Sequence, residues 1–151
     1  MAAPLKIGIA GLGTVGAGVI RILQTHGNDI AKRAGRPIVV SAVNAKTKSK
    51  KRDVDVSGYE WIDASVDVAR TDVDVVVELI GGDEGDAKAL VEAALKNKKH
   101  VVTANKALLA KHGLALAKLA EENGVSLNFE ASVAGGIPII KALREGFAGN
   151  K

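Results

Sequence analysis

The chain has 151 residues, 47% hydrophobic and 25% charged, with 3% aromatics, no cysteine and a formal net charge of +4. That is about one domain's worth of chain, with a single core that has to be aliphatic. The composition excludes disulfides, thiolate metal sites and cysteine nucleophiles, and no apolar run reaches the ~18 residues of a membrane-crossing helix.

The start, Met1-Ala2-Ala3-Pro4, does not read as a signal peptide, and a cytoplasmic protein is expected. Residues 5–10 form a short apolar run, the pattern of a buried strand. Residues 14 to about 25 carry Val15, Val19, Ile20 and Leu23 at helical spacing. Between them, Gly11-Leu12-Gly13-Thr14-Val15-Gly16 matches G-x-G-x-x-G in its required context of strand, turn and helix. Gly11 permits the tight turn, Gly13 lets a pyrophosphate approach the backbone, and Gly16 lets the helix pack close to the sheet. The helix start adds free N–H groups and a partial positive charge. Leu12, Thr14 and Val15 share the loop and are expected cofactor contacts with the three glycines. A ligand-free glycine turn is the weaker reading, because three glycines at this spacing cost stability unless something uses the space.

Residues 38–43 are β-branched and predict a second strand. A dinucleotide site selective for NAD places an acid on the ribose about 20 residues past the glycines. Here that position falls near Asn44, and no acid lies between Val39 and Arg52. A basic run follows instead: Lys46, Lys48, Lys50, Lys51 and Arg52. Without it the rest of the chain is slightly negative, so the basicity is local. With so few aromatics it speaks against nucleic-acid binding. A ribose 2′-phosphate wants cations, and Lys46 and Lys48 stand where they can supply them, so NADP is expected over NAD. Lys50, Lys51 and Arg52 read as a solvated loop, and for Lys46 the two readings are balanced.

Further on, residues 59–62 predict a short strand or extended loop and 66–70 a short helix. Residues 73–80 predict a third buried strand, and 83–97 a helix with acids first and lysines last, as its dipole prefers. A strand is expected over 100–103, a helix over 107–122 with a candidate interruption at Gly113, and a strand over 125–129 after Gly124. A new helix starts over 137–146. Strands that are continuously apolar and alternate with helices predict an α/β fold: a Rossmann-like, doubly wound, mostly parallel sheet with helices on both faces. Ile80-Gly81-Gly82, Thr103-Ala104-Asn105-Lys106 and Glu130-Ala131 then end successive strands, where open α/β sheets bind ligands. The three histidines have no metal-ligand spacing, and Tyr59 and Trp61 read as packing residues.

Four segments converge on one family. Residues 11–16, Val-Val-Glu-Leu-Ile-Gly-Gly at 76–82, Val-Val-Thr-Ala-Asn-Lys-Ala-Leu-Leu-Ala at 101–110, and Phe-Glu-Ala-Ser-Val-Ala-Gly-Gly-Ile-Pro-Ile-Ile at 129–140 resemble the homoserine dehydrogenases. The first is generic; the last two, in this order, are far more specific. The resemblance implies NAD(P)-dependent interconversion of L-homoserine and L-aspartate 4-semialdehyde, a step toward threonine and methionine, by a homo-oligomer. It places Lys106 beside nicotinamide and substrate as a catalytic residue, with Ile80, Gly81 and Thr103 at the cofactor. It also implies a site for a monovalent cation such as sodium at Glu130, Val133, Gly135 and Ile137. The other reading of that segment is a hinge turn.

On this resemblance residues 1–131 are expected to form the nucleotide-binding domain and 132–151 the start of a substrate domain. The last residues carry no closing element, so truncation before the catalytic domain, and no turnover by this chain alone, are expected. Three other readings stand beside it, one of them another small-molecule dehydrogenase, since fold alone does not choose the substrate. A stand-alone dinucleotide sensor needs neither the 103–106 nor the 130–137 segment. A methyltransferase normally has the ribose-binding acid that is absent here.

Overall fold

Six β-strands alternate with helices in the computed structural model, which describes residues 2–133 and 137–146. The strands are β1 (Leu5–Ala10), β2 (Ile38–Asn44), β3 (Glu60–Trp61), β4 (Val75–Glu78), β5 (His100–Thr103) and β6 (Leu127–Asn128). They form one sheet in the order β3-β2-β1-β4-β5-β6, and every neighbouring pair is parallel. This is the Rossmann-like architecture that the alternation predicts, with a wholly parallel sheet. Strand order reverses between β1 and β4, so the chain leaves the sheet in opposite directions there and opens a crevice at the carboxyl ends.

Two apolar clusters lie on the two faces. On one, α1 (Thr14–Ala34) sets Ile20 against Ile7, Ile9, Val43 and Val77. On the other, α2 (Asp86–Lys96) and α3 (Lys106–Glu122) bury Leu90, Leu95, Leu108 and Leu116 against Val76 and Val101. A 3₁₀ turn over Ser65–Arg70 adds Val68 to that face. Fully burying each such side chain is worth roughly 1.5–3 kcal/mol. The last described helix, α4 (Ile139–Gly146), follows Pro138 and leaves Ile139 and Leu143 partly exposed.

Several boundaries differ from the sequence reading, each for a local reason. Helix α1 continues past Thr25 to Ala34. Its second half is mostly exposed and shows no apolar period, but Lys32 and Arg33 suit its last turn, and Gly35 stops it at φ +73°. Val15, counted in the apolar stripe, is 58% exposed at the helix start. Gly113 does not interrupt α3, because a lone mid-helix glycine costs only about 1 kcal/mol against alanine. Strand β4 stops at Glu78 rather than at residue 80, and β6 stops at Asn128. Glu130 and Ala131 therefore end no strand; they lie in a 3₁₀ turn over Glu130–Ser132.

Candidate functional site

The glycine loop joins β1 to α1 beside the end of β4, and its three glycines are not equivalent. Gly11 turns the chain at φ +101°, and its N–H donates to the Asn44 carbonyl at 2.9 Å. A Cβ there would come within 2.4 Å of the Leu79 carbonyl oxygen, and one on Gly16 within 2.0 Å of the Gly11 carbonyl oxygen. Both glycines serve the protein's own packing. Among the described residues a Cβ on Gly13 would meet nothing within 4 Å, and Gly13 has an ordinary extended backbone. Gly13 is also the N-cap of α1, where no side chain caps the helix and no acid lies in the first turn. The result is an open, uncapped helix start, suited to an anion. Leu12 is buried among Ile7, Ile9 and Ile20 and anchors the loop, while Thr14 and Val15 are exposed.

At the carboxyl end of β2, Asn44 occupies the place where an acid would meet a ribose. Its side chain is buried and donates from Nδ2 to the carbonyls of Ile62 (2.8 Å) and Asp63 (3.1 Å). Beyond it, Lys46 and Lys48 are exposed. Arg52, expected in a solvated loop, is instead half-buried and folds that loop. Its guanidinium donates to the carbonyls of Thr47 (2.7 Å), Lys50 (2.8 Å) and Lys48 (3.2 Å). It also lies 5.3 Å from the Trp61 ring centre, with the Lys48 ammonium at 5.6 Å. Trp61 is thus a platform for two cations as well as a packing residue.

At the carboxyl ends of β4 and β5 the site is built on a buried carboxyl. Glu78 is completely inaccessible to solvent. Its Oε1 accepts the N–H groups of Ile80 (2.7 Å) and Gly81 (3.1 Å), and its Oε2 accepts the Thr103 hydroxyl at 2.5 Å. This explains why β4 goes no further: the Leu79 N–H still donates to the Ala10 carbonyl (2.8 Å), but those of Ile80 and Gly81 turn back to the Glu78 side chain instead of extending the ladder. Thr103, also fully buried, accepts the Asn105 N–H on its hydroxyl oxygen (3.0 Å), and its carbonyl accepts the Ser132 hydroxyl (2.8 Å). Asn105 donates from Nδ2 to the Gly82 carbonyl (2.6 Å) and caps α3 by accepting the Leu108 N–H (3.1 Å). Thr103, expected at the cofactor, therefore spends its hydroxyl inside the protein. Ile80, Gly81 and Gly82 are exposed, the two glycines at φ +84° and +85° with open space around them among the described residues.

The same loop is tied from outside. Lys111 of α3 pairs with Asp83 (3.2 Å) and Glu84 (2.8 Å), and His112 Nε2 lies 3.0 Å from Glu84. The hydrogen bond from Lys111, then that from His112, holds the Glu84 carboxyl at about 2, well below its ordinary 4.5. Asp83 is lowered too, chiefly by Lys111.

Lys106 is the first residue of α3, exposed, with no acid in that turn. A cation is electrostatically misplaced at a helix start, so this lysine adds nothing to the helix. Near the end of the described chain, Glu130 is half-buried and its Oε1 accepts the Lys141 N–H at 3.3 Å. Val133 is half-buried, Ile137 is exposed, and Gly135 lies outside the described residues.

The sequence reading missed Glu78, Asn105, Ser132 and the part played by Arg52. Glu78 had a visible signal, since an acid inside an otherwise apolar strand has to be hydrogen-bonded to be buried. Arg52 had none, because a run of cations does not show which of them turns inward.

A family model described as "Homoserine dehydrogenase, NAD binding domain" matches residues 11–130. The homoserine dehydrogenase of Neisseria gonorrhoeae is 51% identical over 148 residues, covering 98% of this chain and 34% of that protein. That of Bacillus subtilis is 46% identical over 148 residues, covering 97% and 34%. The crystal structure of a homoserine dehydrogenase from Thiobacillus denitrificans superposes with a TM-score of 0.88 at 46% identity, over 97% of this chain and 34% of that one. The chain spans about a third of the length of the curated relatives it matches.

Proposed function

The chain belongs to the homoserine dehydrogenase family, in its NAD-binding domain, and from that premise we propose that it is the cofactor-binding part of an enzyme interconverting L-homoserine and L-aspartate 4-semialdehyde. A nicotinamide dinucleotide is its cofactor. The observation that carries the reading is Gly13: its missing Cβ relieves no clash with the described residues, so the space and the uncapped helix start beside it suit a pyrophosphate. Gly11, Leu12, Gly13, Thr14, Val15 and Gly16 form that cradle, the first and last by shaping it. Ile80 and Gly81 border the cofactor beyond β4.

NADP is the preferred form. The absence of an acid at Asn44 and the exposed Lys46 and Lys48 support it, the latter on a loop that Arg52 holds closed. When bound, the nicotinamide supplies or accepts a hydride. Lys106 stabilises the negative charge that develops on the substrate oxygen during that transfer. Glu130, Val133, Gly135 and Ile137 offer oxygen ligands only, which suit a hard monovalent cation such as sodium. In this reading residues 132–151 begin the substrate domain, the enzyme is a cytoplasmic homo-oligomer, and the chain alone has no turnover. It outranks a stand-alone sensor because an exposed lysine at a helix start has no use in a sensor.

Calorimetric titration of the chain with NADPH and NADH, beside a Lys46→Ala variant, tests this. Tighter NADPH binding, reduced by the substitution, is expected. Equal affinity for the two nucleotides contradicts the NADP assignment, and no binding of either contradicts the cofactor role of the isolated chain.

A further inference from the structure

Glu78 is buried, ionisable and not engaged in the chemistry proposed above. Its position is unusual in that each carboxyl oxygen serves a different element. Oε1 holds the N–H groups of Ile80 and Gly81, which shape the exposed loop after β4. Oε2 holds the Thr103 hydroxyl, which in turn accepts the N–H of Asn105, the residue that caps α3 immediately before Lys106. Asn105 then closes the circuit by donating to the carbonyl of Gly82. Every polar atom in the ring has its partner, and the ring lies in a low-dielectric interior where such bonds reinforce one another. The hydroxyl of Thr103 has one hydrogen, which goes to Glu78, so its oxygen is left to accept from Asn105. Only a side chain that accepts on both oxygens, as a carboxyl does here, satisfies both ends.

We infer that Glu78 is a positioning residue that couples the loop at residues 80–82 to the start of α3, so that ordering the one fixes the backbone carrying Lys106. This deepens the cofactor reading and rests on it for what orders the loop. It assigns Glu78 no contact with substrate or nucleotide.

Amide hydrogen exchange on the whole chain tests the coupling, read by NMR at Ile80, Gly81, Asn105 and Leu108. Thr103→Val keeps the shape of the side chain and loses only the hydroxyl. Asn105 loses its acceptor directly; Ile80 and Gly81 lose nothing except through Glu78. The expected result is exchange about tenfold faster at all four amides, restored by Thr103→Ser. Faster exchange at Asn105 alone overturns the proposal and leaves Glu78 a local cap. Should Thr103→Val fail to fold, Glu78→Gln reads the link from the other end. It keeps one acceptor oxygen for Ile80 and Gly81 but sets an NH₂ against the hydroxyl of Thr103. Faster exchange at Asn105 and Leu108 is then expected, and unchanged exchange there counts against the coupling. Adding NADPH separates the two claims. In the unsubstituted chain it should slow all four amides, and in Thr103→Val only Ile80 and Gly81. If NADPH slows none of them in the unsubstituted chain, the cofactor reading fails, while the substitutions still decide the coupling.

Discussion

Past β2 the chain meets the crevice with exposed lysines on a loop tied by one arginine, whereas past β4 and β5 it meets it with backbone held by a fully buried carboxyl. Exposed cations act through a field that salt screens within about 8–10 Å, and they are replaceable one at a time. A closed ring of buried hydrogen bonds is not, because each lost partner orphans another group. The proposed phosphate end can therefore change its preference without cost to the fold, while the proposed reactive end is part of the fold.

Substitutions at the two ends should separate accordingly. Glu78→Ala leaves two N–H groups and a hydroxyl without their acceptor, and at about 1–3 kcal/mol for each orphaned group a loss on the order of 3 kcal/mol or more is expected in urea unfolding. A loss under about 1 kcal/mol would mean that water replaces the carboxyl. Arg52→Ala is intermediate: three carbonyls on a partly exposed loop lose their donor, a stability loss of about 1 kcal/mol is expected, and NADPH binding should weaken with it. An unchanged NADPH affinity would show that the order of this loop is irrelevant to the nucleotide. Lys46→Ala should leave the unfolding midpoint within about 0.5 kcal/mol of its original value. It should weaken NADPH about tenfold while sparing NADH, the effect shrinking as salt rises. Equal loss for both nucleotides would remove Lys46 from the 2′-phosphate.

The smallest effect is set by pH. Glu84 is held at about 2 in the folded chain against an ordinary 4.5. Between these values the folded state binds fewer protons than the unfolded one, so stability rises with pH there. The contribution is complete above about 4.5 and is lost as pH falls toward 2. Lys111→Met, which removes the main cause of the shift, should flatten that part of the stability–pH curve. An unchanged curve would remove the Glu84 pairing from the acid sensitivity of the fold.

Much of the architecture was legible because parallel strands buried on both faces read as unbroken apolar runs. The strand bounds 5–10 and 100–103 coincide with β1 and β5. The glycine spacing was equally plain, but the division of labour within it was not. Only neighbouring atoms show that Gly11 and Gly16 answer to Leu79 and to the loop itself while Gly13 answers to nothing among the described residues. The ends of β4 and β6 were misplaced because apolar residues continue past the last ladder bond. In β4 it is a side chain, Glu78, that diverts the backbone. The second half of α1 escaped notice because an exposed helix has no apolar period to show. The three-way partnership of Glu78, Thr103 and Asn105 spans two strands and a helix start, and nothing local in the sequence joins them.

The most direct test of the cofactor cradle is a pair of measurements on Gly13→Ala: a thermal melt and an NADPH titration. The backbone there is extended and a Cβ meets no atom of the described residues within 4 Å, so the account predicts a near-normal melting temperature with NADPH binding weakened tenfold or more, about 1.4 kcal/mol or above. Normal binding in the substituted chain would contradict it, because the space beside Gly13 would then not be where the pyrophosphate sits.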